Sequence, residues 1–148
     1  MTSTLTERLQ ELFGQLERIT NVQDIAYHRI KEGKLSPVLK TKTDHLGNEK
    51  WKSVHAASPV FVEDDQLLRE IVRNPRPIYV QDVKNDPRSA EEFFLFGIDS
   101  ILILPVAEGS VVRGIVVVAS IGQLHSFTDE EVRQAERLVE QYREILLG

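Results

Sequence analysis

The chain has 148 residues, enough for one domain and too few for two with cores of their own. Its 41% hydrophobic and 28% charged residues fit a globular protein rather than a disordered one, and a net charge of −5 sets most of its surface against a phosphate backbone, which argues against nucleic-acid binding. There is no cysteine, so disulfides, thiolate nucleophiles and cysteine-ligated zinc are excluded, and a cytoplasmic setting is expected. The N-terminus lacks an apolar signal core, and no window approaches the roughly 20 apolar residues of a membrane span.

Leu5, Leu9, Leu12, Phe13, Leu16 and Ile19 recur at spacings of three and four and predict an amphipathic first helix. Thr4 with Glu7 forms a capping box at its start, and Asn21 is its stop. Residues 24–30 alternate as a strand, with Ile25, Tyr27 and Arg29 on one face and Ala26, His28 and Ile30 on the other. Lys31-Glu32-Gly33-Lys34 reads as a hairpin turn, and residues 35–41 as the return strand, where Pro37 implies an edge position or a bulge. Residues 43–59, with His45, Gly47, Asn48, Trp51 and His55, show no clear period; they hold either a short strand near 50–54 or a pocket-covering loop.

Asp64 or Asp65 caps a short helix reaching Arg73 with Leu67, Leu68, Ile71 and Val72 inward, and Asn74-Pro75-Arg76-Pro77 stops it. Residues 78–80 form a short strand. Asp86-Pro87 opens another short helix along Ala90, Phe93, Phe94 and Leu95, ended by Gly97. Residues 100–106 and 111–121 form a hairpin across Glu108-Gly109-Ser110; both strands are apolar on both faces and should be central. Thr128 with Glu131 caps a last helix over 128–147, whose apolar face is Val132, Ala135, Leu138, Val139, Tyr142, Ile145 and Leu146. The plan is α+β, a largely antiparallel sheet of five or six strands between helical layers.

The order of motifs from Leu67 onward resembles a GAF domain, the small-molecule-sensing module of signalling proteins. The resemblance rests on Arg76-Pro77-Ile78 with Asp82, on Asp86-Pro87-Arg88 and on Gly97-Ile98-Asp99-Ser100 leading into a strand that ends in Pro105. It continues through the Gly114-led strand and the Phe127-Thr128-Asp129-Glu130 helix start. The resemblance covers nearly the whole chain, the first half in outline, and makes residues 1–148 one stand-alone domain. It implies a ligand on one sheet face, beneath the irregular loop and short helices, and the first and last helices on the other face, where they often build a dimer. It also excludes: the cysteines of GAF-type free methionine sulfoxide reductases and of bilin attachment are absent, as is the Asn-Lys-Phe-Asp-Glu signature of cyclic-nucleotide GAF domains.

On that arrangement the expected ligand-binding residues are Trp51, Phe61, Tyr79, Asp82, Arg88, Phe93, Phe96 and Ser100, with Tyr27 on the sheet floor. Trp51 is a pocket wall or a core anchor. A helix N-terminus near Arg88 would favour an anionic ligand; the alternative is that Asp82 and Arg88 pair with each other or cap turns. One of Phe93, Phe94 and Phe96 should line the cavity while the others enter the core. His28, His45, His55 and His125 have no helical metal spacing and read as solvated or hydrogen-bonded, so neither a metal nor haem is expected. Ser58, Ser89 and Ser100 lack a nucleophile elbow, Glu91-Glu92 and Glu130-Glu131 complement helix dipoles, and there is no phosphate-binding glycine loop. The expected function is non-catalytic: a cytoplasmic, homodimeric sensor that binds a small molecule, with no covalent bilin, and reports to a kinase or transcription regulator. The alternatives are a dimerisation module with a degenerate pocket and an enzyme on a GAF-like scaffold.

Overall fold

In the computed structural model, which describes residues 4–41 and 47–148, the two most apolar segments lie side by side inside the sheet. The chain runs through α1 (Leu5–Thr20), β1 (Asp24–Lys31), β2 (Lys34–Lys40), α2 (Asn48–Ala57), α3 (Gln66–Arg73), β3 (Ile78–Val80), α4 (Glu91–Leu95), β4 (Ile98–Glu108), β5 (Val111–Ile121), α5 (Asp129–Gln141) and α6 (Arg143–Leu147). The sheet has five strands in the order β2-β1-β5-β4-β3, every neighbouring pair antiparallel. The expected α+β plan is therefore present.

Alternation along the central strands divides the core in two. Leu102, Leu104, Val106, Val116 and Val118 face α1, α5 and α6, together with Ile25 and Tyr27 of β1. Ile101, Ile103, Ile115 and Ala119 face α3 and α4. Each of these side chains is buried, and each valine, leucine and isoleucine among them contributes about 1.5–3 kcal/mol by leaving water. Pro37 sits on the edge strand opposite His28, beside a bulge between Tyr27 and His28, where its missing N–H is tolerated.

Local signals set most helix ends. Thr4 accepts a hydrogen bond from the Glu7 N–H, Asp65 from Leu68 and Thr128 from Glu131. Asn21 ends α1 in the left-handed region at φ 59°. The β1–β2 turn places Glu32 (φ 52°) and Gly33 (φ 76°) in that region too, as a two-residue hairpin requires.

Three expectations need correction. Residues 48–57 are neither strand nor irregular loop but a helix, while residues 43–46, including His45, lie outside the described residues. Asp86-Pro87 does not open a helix; a 3-10 turn covers Val83–Asn85, and α4 begins only after Ala90. The last helix is broken at Tyr142 (φ −97°, ψ 1°), whose hydroxyl accepts from Gln15 Nε2 at 2.8 Å and whose ring lies under Arg8. These contacts with α1 hold the break. As expected, Leu9, Leu12, Phe13 and Leu16 of α1 and Ala135, Leu138 and Val139 of α5 pack on the sheet face opposite the cavity.

Tyr27 ties the last helix to this layer. Its ring is fully buried and its hydroxyl donates to the Leu146 carbonyl at 2.9 Å. Tyr27→Phe is expected to cost about 1 kcal/mol, the net worth of one hydrogen bond, and to raise amide exchange in α6 while sparing β4 and β5. Equal exchange across the protein would show that α6 is held by apolar packing alone.

Candidate functional site

The sheet face opposite α1 is covered by α2, α3 and α4, and between them lies a cavity of about 100 Å³. Its floor is Ala26 and His28 of β1, Ile101 and Ile103 of β4, and Ile115, Val117 and Ala119 of β5; its roof is Trp51 and His55 of α2, Leu68 of α3, and Phe93 and Phe96 at α4. The lining is largely apolar, the usual character of a small-molecule site.

Within this lining four rings touch. The His28 ring centroid lies 5.1 Å from Trp51 and 4.9 Å from His55, and Trp51 lies 5.5 Å from His55, all edge-on. His55 stacks on Phe96 at 5.3 Å with 23° between planes. Trp51 and His55 meet because they are four residues apart on one helix, on the same face.

Both imidazoles are buried, His28 at 5% and His55 at 6% exposure, and the Nδ1 atom of each lacks a hydrogen-bond partner. Leaving such a group unsatisfied costs about 1–3 kcal/mol. Burial pushes His28 down to about 3, with the neighbouring His55 adding to the shift, and burial lowers His55 as well. At neutral pH both rings are uncharged, so each Nδ1 is either a bare lone pair or an N–H, and each can meet one polar atom of a ligand.

A wider cleft of about 680 Å³ adjoins the cavity and shares His55, Asp65, Glu92 and Phe96 with it. Phe61, Asp64 and Ser89 complete part of its lining. The stacked pair of His55 and Phe96 thus belongs to the wall between the two spaces.

The structure brings Trp51, Phe93 and Phe96 together on the cavity and Phe61 onto the outer cleft. Phe94 is 55% exposed and enters neither space. The other expected site residues lie elsewhere. Tyr27 points to the helix side of the sheet, because its neighbour His28 takes the cavity side. Tyr79 is on the exposed side of β3, between buried Ile78 and Val80. Ser100 donates to the Gln81 carbonyl at 2.6 Å and accepts from the His125 N–H at 2.9 Å, joining β3 to the segment before α5. The side chain of Gln81 reinforces that junction by pairing with both backbone groups of Phe127.

Asp82 accepts from Asn85 at 2.7 Å, and Arg88 is held by Asp86 through Nε at 3.1 Å and NH2 at 2.8 Å. The partner of Arg88 is thus Asp86, not Asp82. The Arg88 guanidinium holds the Asp86 carboxyl below the usual carboxylate range, and neither residue lines the cavity or the outer cleft. An anion at Arg88 would have to displace a two-pronged partner already in place. Arg88→Ala should therefore leave binding of any cavity ligand unchanged within about twofold, measured by titration against Trp51 emission; a larger loss would return Arg88 to the site.

Asp24, His28, Lys40, Thr41, His55, Asp65 and Glu92 are the polar cavity residues that sequence reasoning did not place. The signal for His28 was present in the alternation of β1. The signal for His55 was its spacing from Trp51, usable only once 48–57 is known to be helical. Among the described residues no group of three or more His, Asp or Glu side chains could hold a metal ion.

A family profile for the GAF domain matches residues 2–146. A search of curated proteins gave no match. Among solved structures, the chain is similar to a GAF domain/HD domain protein from Geobacter sulfurreducens (TM-score 0.79, 17% identity, covering 97% of this chain and 92% of that one). It is also similar to a domain of a putative two-component sensor histidine kinase from Sinorhizobium meliloti (TM-score 0.74, 15% identity, 99% and 93% covered). A third similar structure is a type II free methionine-R-sulfoxide reductase from Thermoplasma acidophilum (TM-score 0.71, 16% identity, 96% and 92% covered). At these identities the structures speak for the fold, and with the family profile they lead to one conclusion: the chain belongs to the GAF domain family.

Proposed function

We infer that this GAF domain is a non-catalytic sensory module that binds a small molecule in the cavity between the sheet and α2–α4. One observation carries the reading: two neutral, buried imidazoles whose Nδ1 atoms lack partners line a cavity that is largely apolar. A side-chain-filled core has no use for such atoms, whereas a ligand with one or two polar atoms satisfies them. The catalytic alternative lacks support in the residue set, since a cysteine-based reduction needs a thiol and the chain has no cysteine. The alternative of a pure dimerisation module loses its motive, because the stripes that suggested it cover the chain's own sheet.

Binding would be reported through α2. Trp51 and His55 both sit on it, and its first residue, Asn48, pairs with the backbone of Lys40 in β2 through N–H and C=O contacts of 2.9 and 3.2 Å. A ligand that shifts α2 thus shifts the sheet edge, a change that a kinase or transcription regulator could read. Native mass spectrometry followed by denaturing analysis tests the reading. The expected result is a released small molecule that, added back, changes Trp51 emission and the imidazole resonances of His28 and His55. If neither a released molecule nor a metabolite library moves those signals, the domain is not a sensor through this cavity.

A further inference from the structure

We propose that the stacked pair of His55 and Phe96 is a gate, and that a ligand enters the inner cavity from the outer cleft when the Phe96 ring swings off His55. The proposal rests on the reading of the cavity as the ligand site. It adds the route of entry and the residue that sets how fast the cavity fills and empties.

The shared wall comes first. The inner cavity is about 100 Å³ and the adjoining cleft about 680 Å³, and His55 and Phe96 line both. Their rings lie 5.3 Å apart with 23° between planes, so they form one stacked layer in that wall. A molecule that crosses there must separate them. Asp65 and Glu92 also line both spaces. Asp65 is buried and accepts from the Leu68 N–H at 3.2 Å, so moving it would uncap α3. Glu92 has a partner within the chain. A ring, by contrast, turns about its own side-chain bonds without disturbing a helix.

Of the two rings, Phe96 is the one that moves. His55 is buried and boxed by His28 at 4.9 Å and Trp51 at 5.5 Å. Its helix, α2, is fastened to β2 through Asn48. Phe96 is half-buried and caps the C-terminus of α4, a helix of five residues without a side-chain bond at its N-cap. Gly97 follows at φ 70°, in the left-handed region, so the chain turns sharply into β4 directly behind the ring.

The rest of α4 stays in place. Phe93, three residues before Phe96, is buried in the core on this face of the sheet. Ser89 Oγ donates to the Val83 carbonyl at 2.6 Å and ties down the approach to the helix. The moving part is therefore a side chain rather than a helix. A gate of this kind speeds entry and exit by the same factor and leaves affinity unchanged.

A chain without cysteine allows a direct test by thiol labelling. Ile103→Cys places a thiol on the cavity floor, and Leu104→Cys, at the next residue, places one on the opposite sheet face under α1 and α5. The probe is methyl methanethiosulfonate, whose labelling rate follows the fraction of molecules open at that thiol. The expected result is faster labelling of Ile103→Cys than of Leu104→Cys. Phe96→Ala should raise the first rate by roughly tenfold, the upper end of what one ring pair is worth, and leave the second as it was. Phe96→Leu keeps apolar bulk without the stacked ring and should act in the same direction by less. Ile115→Cys and Val116→Cys on β5 repeat the comparison where a β4 variant folds poorly. Phe96→Ala speeding both rates equally reports lost stability, and speeding neither reports entry by another route; each result overturns the gate and leaves the cavity reading standing. Labelling no faster at Ile103→Cys than at Leu104→Cys in every variant overturns both, because the cavity then opens only with the whole fold.

Discussion

Gly114→Ala is expected to destabilise the protein by about 1–3 kcal/mol, the range for forcing a methyl group into a packed interior, read as a fall in urea midpoint at unchanged slope. Gly114 lies in β5, paired with Arg29 of β1 on one side and Val106 of β4 on the other. A Cβ there would stand 2.8 Å from the His28 carbonyl oxygen, 2.9 Å from Tyr27 Cε1 and 3.0 Å from the Tyr27 hydroxyl. The first contact is backbone and cannot rotate away. The other two belong to a ring locked by its bond to Leu146. The methyl group must therefore push β1 off β5 next to His28, whose side chain forms the cavity floor on the other face. Tyr27→Leu in the Gly114→Ala background should recover only part of the loss, because the carbonyl contact stays. Full recovery would mean that the ring alone makes Gly114 necessary.

Acid is expected to weaken the fold well above the range where carboxylates titrate. In the unfolded chain His28 has its ordinary value of 6.5; in the fold it is lowered to about 3 by burial and by His55. Between these values the unfolded chain binds a proton that the folded chain refuses. Stability therefore falls as the pH drops through this window, with a limiting slope of about 1.4 kcal/mol per pH unit for one imidazole. Near pH 3 the folded protein takes the proton too and the slope levels off. His55, also lowered by burial, acts in the same direction. Asp86 belongs to a separate window: its carboxyl, depressed by Arg88, contributes stability above its unfolded value of 3.8 that is lost as the pH falls through its folded one. The decline between 4.5, the ordinary value of the Arg133-paired Glu130, and 6.5 is thus assigned to the imidazole pair. His28→Phe should be close to neutral at pH 7, since it replaces an unsatisfied group with an apolar ring of similar shape. Below pH 6 it should lose about one proton's worth of slope. A ligand that accepts or donates at the two Nδ1 atoms should stabilise the protein at pH 7 by mass action.

The two acid-sensitive groups sit where the candidate ligand sits, so the polar atoms that make the cavity a site also make it a weak point of the fold. That coincidence is common in binding proteins, where unsatisfied groups are kept for a partner at some cost in stability.

Periodicity, capping and turn chemistry were sufficient to determine much of this protein from sequence. The stripes of α1 and α5, the caps at Thr4, Asp65 and Thr128, the Glu32-Gly33 turn and the central hairpin of β4 and β5 are local or strictly periodic features. Each follows from the residues that form it. The order of motifs from Arg76 to Glu130 carried the family. What tertiary structure decided is the roof of the cavity and the identity of its polar groups. Helix α2 has no side-chain cap at Gly47 and a weak apolar pattern; its start is fixed by Asn48 bonding to Lys40 in another element. No reading confined to a short window contains that bond. Only with α2 in place do Trp51 and His55 share a face, and only with β1 paired to β5 does His28 come under them. Arg88 shows the converse: its charge was plain in the sequence, but the fold gives it to Asp86, because a carboxylate two residues away forms the ion pair before any ligand can compete.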